Sequence, residues 1–85
     1  MSNPNINPII FEIEYGCINT RLNEIMTSRK ISNYQLSNQA NIRFQTIQSL
    51  RDNTATRIDF EVLAKLCYAL DCKVEDLIIY SPKKE

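Results

Sequence analysis

Between Leu36 and Leu50 the chain reads LSNQANIRFQTIQSL. Its large aliphatic residues, Leu36, Ile42, Ile47 and Leu50, are too sparse and too unevenly spaced for one continuous helix. The chain also holds a single glycine and three prolines in 85 residues. It must therefore turn without the usual breakers. Asparagine is the best substitute for glycine in the left-handed conformation that closes a helix. Asn41 and Asn53 each follow a short apolar run. The expectation is a set of short helices in one domain, separated by tight turns at these asparagines, with no room for a second core.

A pass along the chain fills in that outline. Residues 1–8 are rich in Asn and Pro and read as a loosely attached extension. Residues 9–15, IIFEIEY, alternate Phe11, Ile13 and Tyr15 with Glu12 and Glu14, a half-buried strand signal that Gly16 breaks. A lone strand leaves backbone groups unpaired. It either packs on its own domain or pairs with a second copy, and the second use is favoured here. Helix one is expected over Ile18 to Arg29, with Ile18, Leu22, Ile25 and Met26 as its apolar stripe. Helix two starts at Ser32, where Ser32 and Gln35 fit a capping box, and ends at Asn41. Helix three spans Phe44 to Asp52, anchored by Ile47 and Leu50. Helix four is capped by Asp59 and runs to Leu70, with Phe60, Leu63, Leu66, Cys67 and Leu70 facing inward. Helix five is brief, Val74 to Ile79, with Val74, Leu77 and Ile78 turned inward.

Net charge is zero, but it is unevenly distributed. Residues 1–16 carry −2, residues 17–57 carry +4 and residues 58–85 carry −2. The positive charge surrounds the amide-rich stretch quoted above, and a local basic face is all that phosphate binding needs. No apolar run approaches a membrane span, and MSNPNINP lacks the basic start and apolar centre of a secretory signal. A cytoplasmic location is expected. Cys17, Cys67 and Cys72 form no CxxC pair, and there is no histidine. They read as small buried apolar residues, with no metal and no cofactor. An enzyme is not expected: no Gly-rich phosphate loop, Ser-His-Asp set or clustered acid pair is present. Arg51 and Asp52 read as a solvated helix end.

Two short helices joined by a tight turn and flanked by supporting helices form a helix-turn-helix pattern. Ser37 and Thr46, small at the crossing, allow the two to approach closely. From Ser32 to Tyr80 the sequence resembles the lambda-repressor-like (Xre-type) helix-turn-helix family, with IDFEVLAKLCYALDCKVEDLIIY especially similar to its small single-domain regulators. The resemblance covers residues 17–80 and implies an all-α fold, a five-helix domain, here preceded by a short N-terminal extended segment. Residues 1–16 are then an extension and 81–85 a tail. It also implies binding of double-stranded DNA as a homodimer, in transcription regulation of phage or mobile-element type, as a repressor. The alternative is a protein-interaction module on the same scaffold, such as an antitoxin or a phage-encoded inhibitor, which the zero net charge favours.

Carried over position by position, the resemblance assigns Phe44, Gln45, Gln48 and Ser49 to the major groove. Gln45 leads, because a carboxamide can pair in bidentate fashion with adenine. Asn33, Gln35, Arg43, Asn53, Thr54, Thr56 and Arg57 are assigned to the DNA backbone. The chain departs from the family where Arg43 replaces a capping Ser or Thr, and where Asn41 and Asn53 replace turn glycines. Phe44 is apolar at an often polar position, set either to pack on a thymine methyl or to fold onto the domain.

Overall fold

The computed structural model describes residues 15–82. Five helices and two short strands follow in the order β1 (Cys17–Thr20), α1 (Leu22–Ser28), α2 (Asn33–Ala40), α3 (Phe44–Asp52), α4 (Phe60–Leu70), α5 (Val74–Leu77) and β2 (Ile78–Ser81). The core draws on every helix: Leu22 and Met26 from α1, Leu36 and Ala40 from α2, Ile47 and Leu50 from α3, Leu66 and Leu70 from α4, and Leu77 from α5, with Ile42 from the α2–α3 turn. Fully burying side chains of this size contributes about 1.5–3 kcal/mol each. Most of the helical stability in such short segments comes from this packing.

The helix starts follow local chemistry. Ser32 accepts the Gln35 N–H at 3.1 Å, and the Gln35 side-chain carbonyl accepts the Ser32 N–H at 2.9 Å, completing the expected capping box. Asp59 accepts the Val62 N–H at 2.7 Å. Arg43, at the start of α3, makes no side-chain cap.

Four of the five helix ends share one solution; α5 instead runs straight into extended backbone at Ile78. Lys30, Asn41, Asn53 and Asp71 are all left-handed, with φ of 57°, 56°, 60° and 50°. After each, the next N–H reaches back five residues: Ile31 to Met26 O at 2.9 Å, Ile42 to Ser37 O at 3.3 Å, Thr54 to Ser49 O at 3.0 Å and Cys72 to Cys67 O at 3.1 Å. This is the Schellman closure, usually built on glycine. Here it is built four times without one. Asn41 and Asn53 were expected in this role; Lys30 and Asp71 were not.

The two strands close the chain on itself. β1 pairs antiparallel with β2 in the register Cys17↔Ser81, Ile18↔Tyr80, Asn19↔Ile79 and Thr20↔Ile78. This corrects two sequence expectations. Helix one begins at Leu22, not Ile18, because Ile18 joins a strand whose partner lies near the other end of the sequence. Helix five stops at Leu77, and Ile78 starts that partner. Three residues placed in the core are not there: Ile18 is 61% exposed, Phe60 86% and Val74 49%. On α4 the inward row is Val62, Leu66 and Leu70, so Phe60, Ala64 and Tyr68 share the opposite face, and Tyr68 is exposed too. Cys17 is exposed and Cys67 and Cys72 are half-buried, so none of the three is the fully buried residue expected. The proposed strand at 9–15 lies outside the described residues apart from Tyr15, whose carbonyl accepts the Tyr80 hydroxyl at 2.6 Å.

Candidate nucleic-acid interface

The helix-turn-helix is α2, the turn 41–43 and α3. Three contacts fix the turn. Ser37 Oγ donates to the Ile42 carbonyl at 2.6 Å, Lys65 Nζ donates to the Asn41 carbonyl at 3.1 Å, and Ile42 itself is buried. With Ile47 and Leu50 held in the core, helical geometry turns Phe44, Gln45 and Gln48 outward.

The residues singled out from sequence separate into two groups. Arg43, Gln45, Thr56 and Arg57 are exposed, and Phe44 is 51% exposed. Among the described residues no carboxylate lies within salt-bridge distance of Arg43 or Arg57; the ion pairs there are Arg21–Glu24 and Lys65–Glu61. Both guanidinium groups therefore lack a carboxylate partner, Arg43 just before α3 and Arg57 in the loop between α3 and α4. Gln35 uses its carbonyl in the capping box and keeps its NH2.

The second group has its polar atoms engaged inside the protein. Asn33 is only 8% exposed. It accepts from Arg51 Nη1 at 2.6 Å and donates to Gln48 Oε1 at 2.6 Å. Gln48 Nε2 in turn donates to Asp52 Oδ1 at 2.8 Å. Ser49 is half-buried and donates to the Thr46 carbonyl at 3.0 Å. Asn53 Oδ1 accepts the Thr20 N–H at 2.7 Å, and its Nδ2 donates to the Thr20 carbonyl at 3.3 Å. Thr54 Oγ1 reaches the Ser49 carbonyl at 3.5 Å.

Sequence reasoning missed Arg51. It is half-buried, not a solvated helix end. Its Nε and Nη2 both donate to Asn23 Oδ1, at 2.9 and 2.6 Å. One guanidinium thus ties α1 through Asn23, α2 through Asn33, and α3 on which it sits. An isolated buried amide costs about 1–3 kcal/mol when unsatisfied; here no buried side-chain N or O among the described residues lacks a partner. The signal in the sequence was an arginine one turn beyond an amide-rich helix face, which local spacing alone does not pair with Asn23.

Residues 21–83 match the family model of the Cro/C1-type HTH DNA-binding domain. The chain belongs to that family, and with it go DNA binding and the regulation of transcription. A comparison with curated protein sequences gives no match. Among solved structures, a candidate DNA-binding protein from Bacteroides fragilis is similar with a TM-score of 0.65 at 19% identity, over 74% of this chain and 100% of that one. The transcriptional regulator VanUg is similar with a TM-score of 0.65 at 15% identity, over 98% of this chain and 100% of that one. At such identities both likenesses speak for the fold. Among the described residues, no helix is long and apolar enough to cross a membrane.

Proposed function

We propose that this chain is a sequence-specific binder of double-stranded DNA that acts as a repressor of phage or mobile-element type, in the cytoplasm. The observation that carries the proposal is the disposition of Gln45. It is exposed on the first turn of α3, between the unpaired Arg43 and the rest of the helix, in a domain of DNA-binding type. Its carboxamide is suited to adenine N6 and N7. Phe44 packs on a neighbouring thymine methyl. Gln48 reads beside Gln45, and Ser49 contributes at the margin of the contact.

Phosphates are held by Arg43, Arg57 and Thr56, by Gln35 through its NH2, and by Thr54. Asn33 and Asn53 act mainly by holding the elements that make these contacts, since their amides are engaged with Arg51, Gln48 and Thr20. Main-chain N–H groups in the first turn of α2 add to phosphate binding.

The test is selection of preferred sites from random duplexes, followed by binding isotherms across a salt series. Gln45→Ala is expected to lose preference at one base position. Arg57→Ala is expected to weaken binding to all sequences and to lower the salt slope by about one. Binding without any sequence preference sinks the proposal.

We propose further that the chain binds DNA as a homodimer. A two-fold symmetric site with half-sites about one helical turn apart, together with a dimeric mass in solution, supports that arrangement; a monomeric mass in the presence of such DNA counts against it. A second reading, a protein-interaction module, draws on the exposed Phe60 and Tyr68 of α4. No affinity for duplex DNA at any salt concentration favours it.

A further inference from the structure

Four side chains link α3 to α2 in a row that has a direction. Arg51 donates to Asn33, Asn33 donates to Gln48, and Gln48 donates to Asp52, at 2.6, 2.6 and 2.8 Å. A guanidinium can only donate, and an ionised carboxylate can only accept. The two carboxamides between them can do either, and in isolation each could be flipped with little penalty. Here the ends decide. Arg51 forces its neighbour to present oxygen, so Asn33 turns its Nδ2 to Gln48. Gln48 then presents Oε1 to Asn33 and its Nε2 to Asp52. Reversing either amide would set donor against donor or acceptor against acceptor at both of its contacts. Asn23 holds the far side of Arg51 through two further bonds at 2.9 and 2.6 Å, so the starting end does not swing away.

Each carboxamide atom has two bonding positions. After Asn33 and Asp52 are served, Gln48 keeps one N–H and one oxygen lone pair, on an exposed side chain. We infer that Arg51 and Asp52 are specificity-determining positioning residues: they fix which end of the Gln48 amide donates and which accepts at the DNA, without touching the bases themselves. This rests on the DNA-reading proposal above and adds to it. A free glutamine can flip to suit more than one base edge; a Gln48 with fixed polarity rejects the base that needs the opposite order.

The test uses three variants of the full chain. Asn33→Asp keeps an acceptor, now charged, for Arg51, but has no N–H for Gln48. Asp52→Asn sits at an exposed helix end and replaces an acceptor-only terminus with one that can also donate. Asn33→Asp leaves Gln48 between two carboxylates that can only accept, and is expected to flatten the preference at the base position read by Gln48 by roughly tenfold, the size of one bidentate contact. Asp52→Asn alone leaves Arg51 and Asn33 to fix Gln48, and is expected to keep that preference. The double variant reverses the row: the carboxylate introduced on α2 can only accept from Gln48, and the carboxamide introduced at the end of α3 can donate to it. It is expected to regain a sharp preference at that same position, for a different base. Neither a loss of stability nor a change of net charge produces that pattern, since both act on all sequences alike. Site selection with unaltered protein, the two single variants and the double variant gives the answer. A preference in the unaltered protein that persists unchanged in all variants overturns this inference and leaves DNA reading intact. No sequence preference in the unaltered protein overturns both.

Discussion

The side-chain amide of Asn53 meets both main-chain groups of Thr20, accepting its N–H at 2.7 Å and donating to its carbonyl at 3.3 Å. It occupies the place a third strand would take for one residue. Because the N–H and C=O of Thr20 are both directed at Asn53, they point away from β2. The pair Thr20↔Ile78 is therefore the kind that exchanges no ladder bonds, and by the two-residue period Ile18 also directs its groups to the outer edge. Asn53 thus does two things. It closes α3 in the left-handed conformation, and it locks the end of that helix to the sheet formed by the two ends of the described chain.

Asn53→Gly is expected to be destabilising, although glycine suits φ 60° better than any other residue. It removes two hydrogen bonds worth about 0.5–1.5 kcal/mol each and recovers only part of that from relief of the left-handed backbone. The expected cost is about 1 kcal/mol, a fall of roughly 4–8 °C in Tm for a domain of this size. Asn41→Gly is the control, because the contact made by Asn41 is through its carbonyl, to Lys65 at 3.1 Å, and glycine keeps it. Its melting temperature is expected to stay level or rise. Equal effects at both sites would show that the Asn53 amide contributes nothing.

Thr20→Val probes the same junction from the other side. The Thr20 hydroxyl donates to the Leu50 carbonyl at 2.6 Å and accepts the Leu22 N–H at 3.3 Å. It therefore serves the end of α3 and the start of α1 at once. Valine keeps the shape and the strand preference but offers no partner. Chemical denaturation is expected to show a loss of about 1–3 kcal/mol, the range for orphaned carbonyl and N–H groups that are partly buried. An unchanged midpoint would mean that water replaces the hydroxyl freely.

What could be read from the sequence follows the range of the interaction. The Ser32–Gln35 box, the Asp59 cap and the left-handed Asn41 and Asn53 involve residues within a few positions of each other, and all were legible. Ile47 and Leu50 as anchors followed from helical spacing. The sheet was not legible, because the residues that make a strand of Ile18 lie at 78–81, and locally Ile18 fits a helical stripe with Leu22. Phe60 was misplaced because apolarity at the start of α4 does not say which face is inward; Val62, Leu66 and Leu70 decide that. At the site, the outward turn of Phe44, Gln45 and Gln48 was legible as the complement of the buried face. Which amides are already engaged was not, since Asn33 and Arg51 find each other across two helices.

Gly16→Ala tests whether the sheet is separable from the helical core. Gly16 has φ 90°, and a Cβ there would run into the Ser81 carbonyl oxygen and stand 2.8 Å from Pro82 Cα. Both obstacles are backbone and cannot swing aside. The expected result is loss of the Cys17↔Ser81 end of the ladder at a cost of about 1–3 kcal/mol, with helical circular dichroism retained. Amide exchange should accelerate in 17–20 and 78–81 before it does in α3. Uniform acceleration across the helices would mean that sheet and core unfold as one unit.

Cys72 gives the molecule a pH dependence whose sign can be worked out. The Schellman closure of α4 bonds the Cys72 N–H to the Cys67 carbonyl at 3.1 Å and so brings the two residues together. Burial first, then the neighbouring Cys67 and Asp76, push the Cys72 thiol above its ordinary value of 9.0, with Arg29 opposing. The folded protein therefore holds the Cys72 proton more tightly than the unfolded chain does. This stabilisation is intact below the unfolded value and is lost as pH rises from there through the folded one. In denaturation measured from pH 7 to 10, the unaltered protein should weaken more steeply above pH 9.0 than Cys72→Ala does. Alkylation gives an independent check, because only the thiolate reacts. Iodoacetamide should label the exposed Cys17 at neutral pH while Cys72 resists, and Cys72 should become reactive only in more alkaline solution. Equal labelling of both residues at pH 7 would contradict the raised Cys72 value.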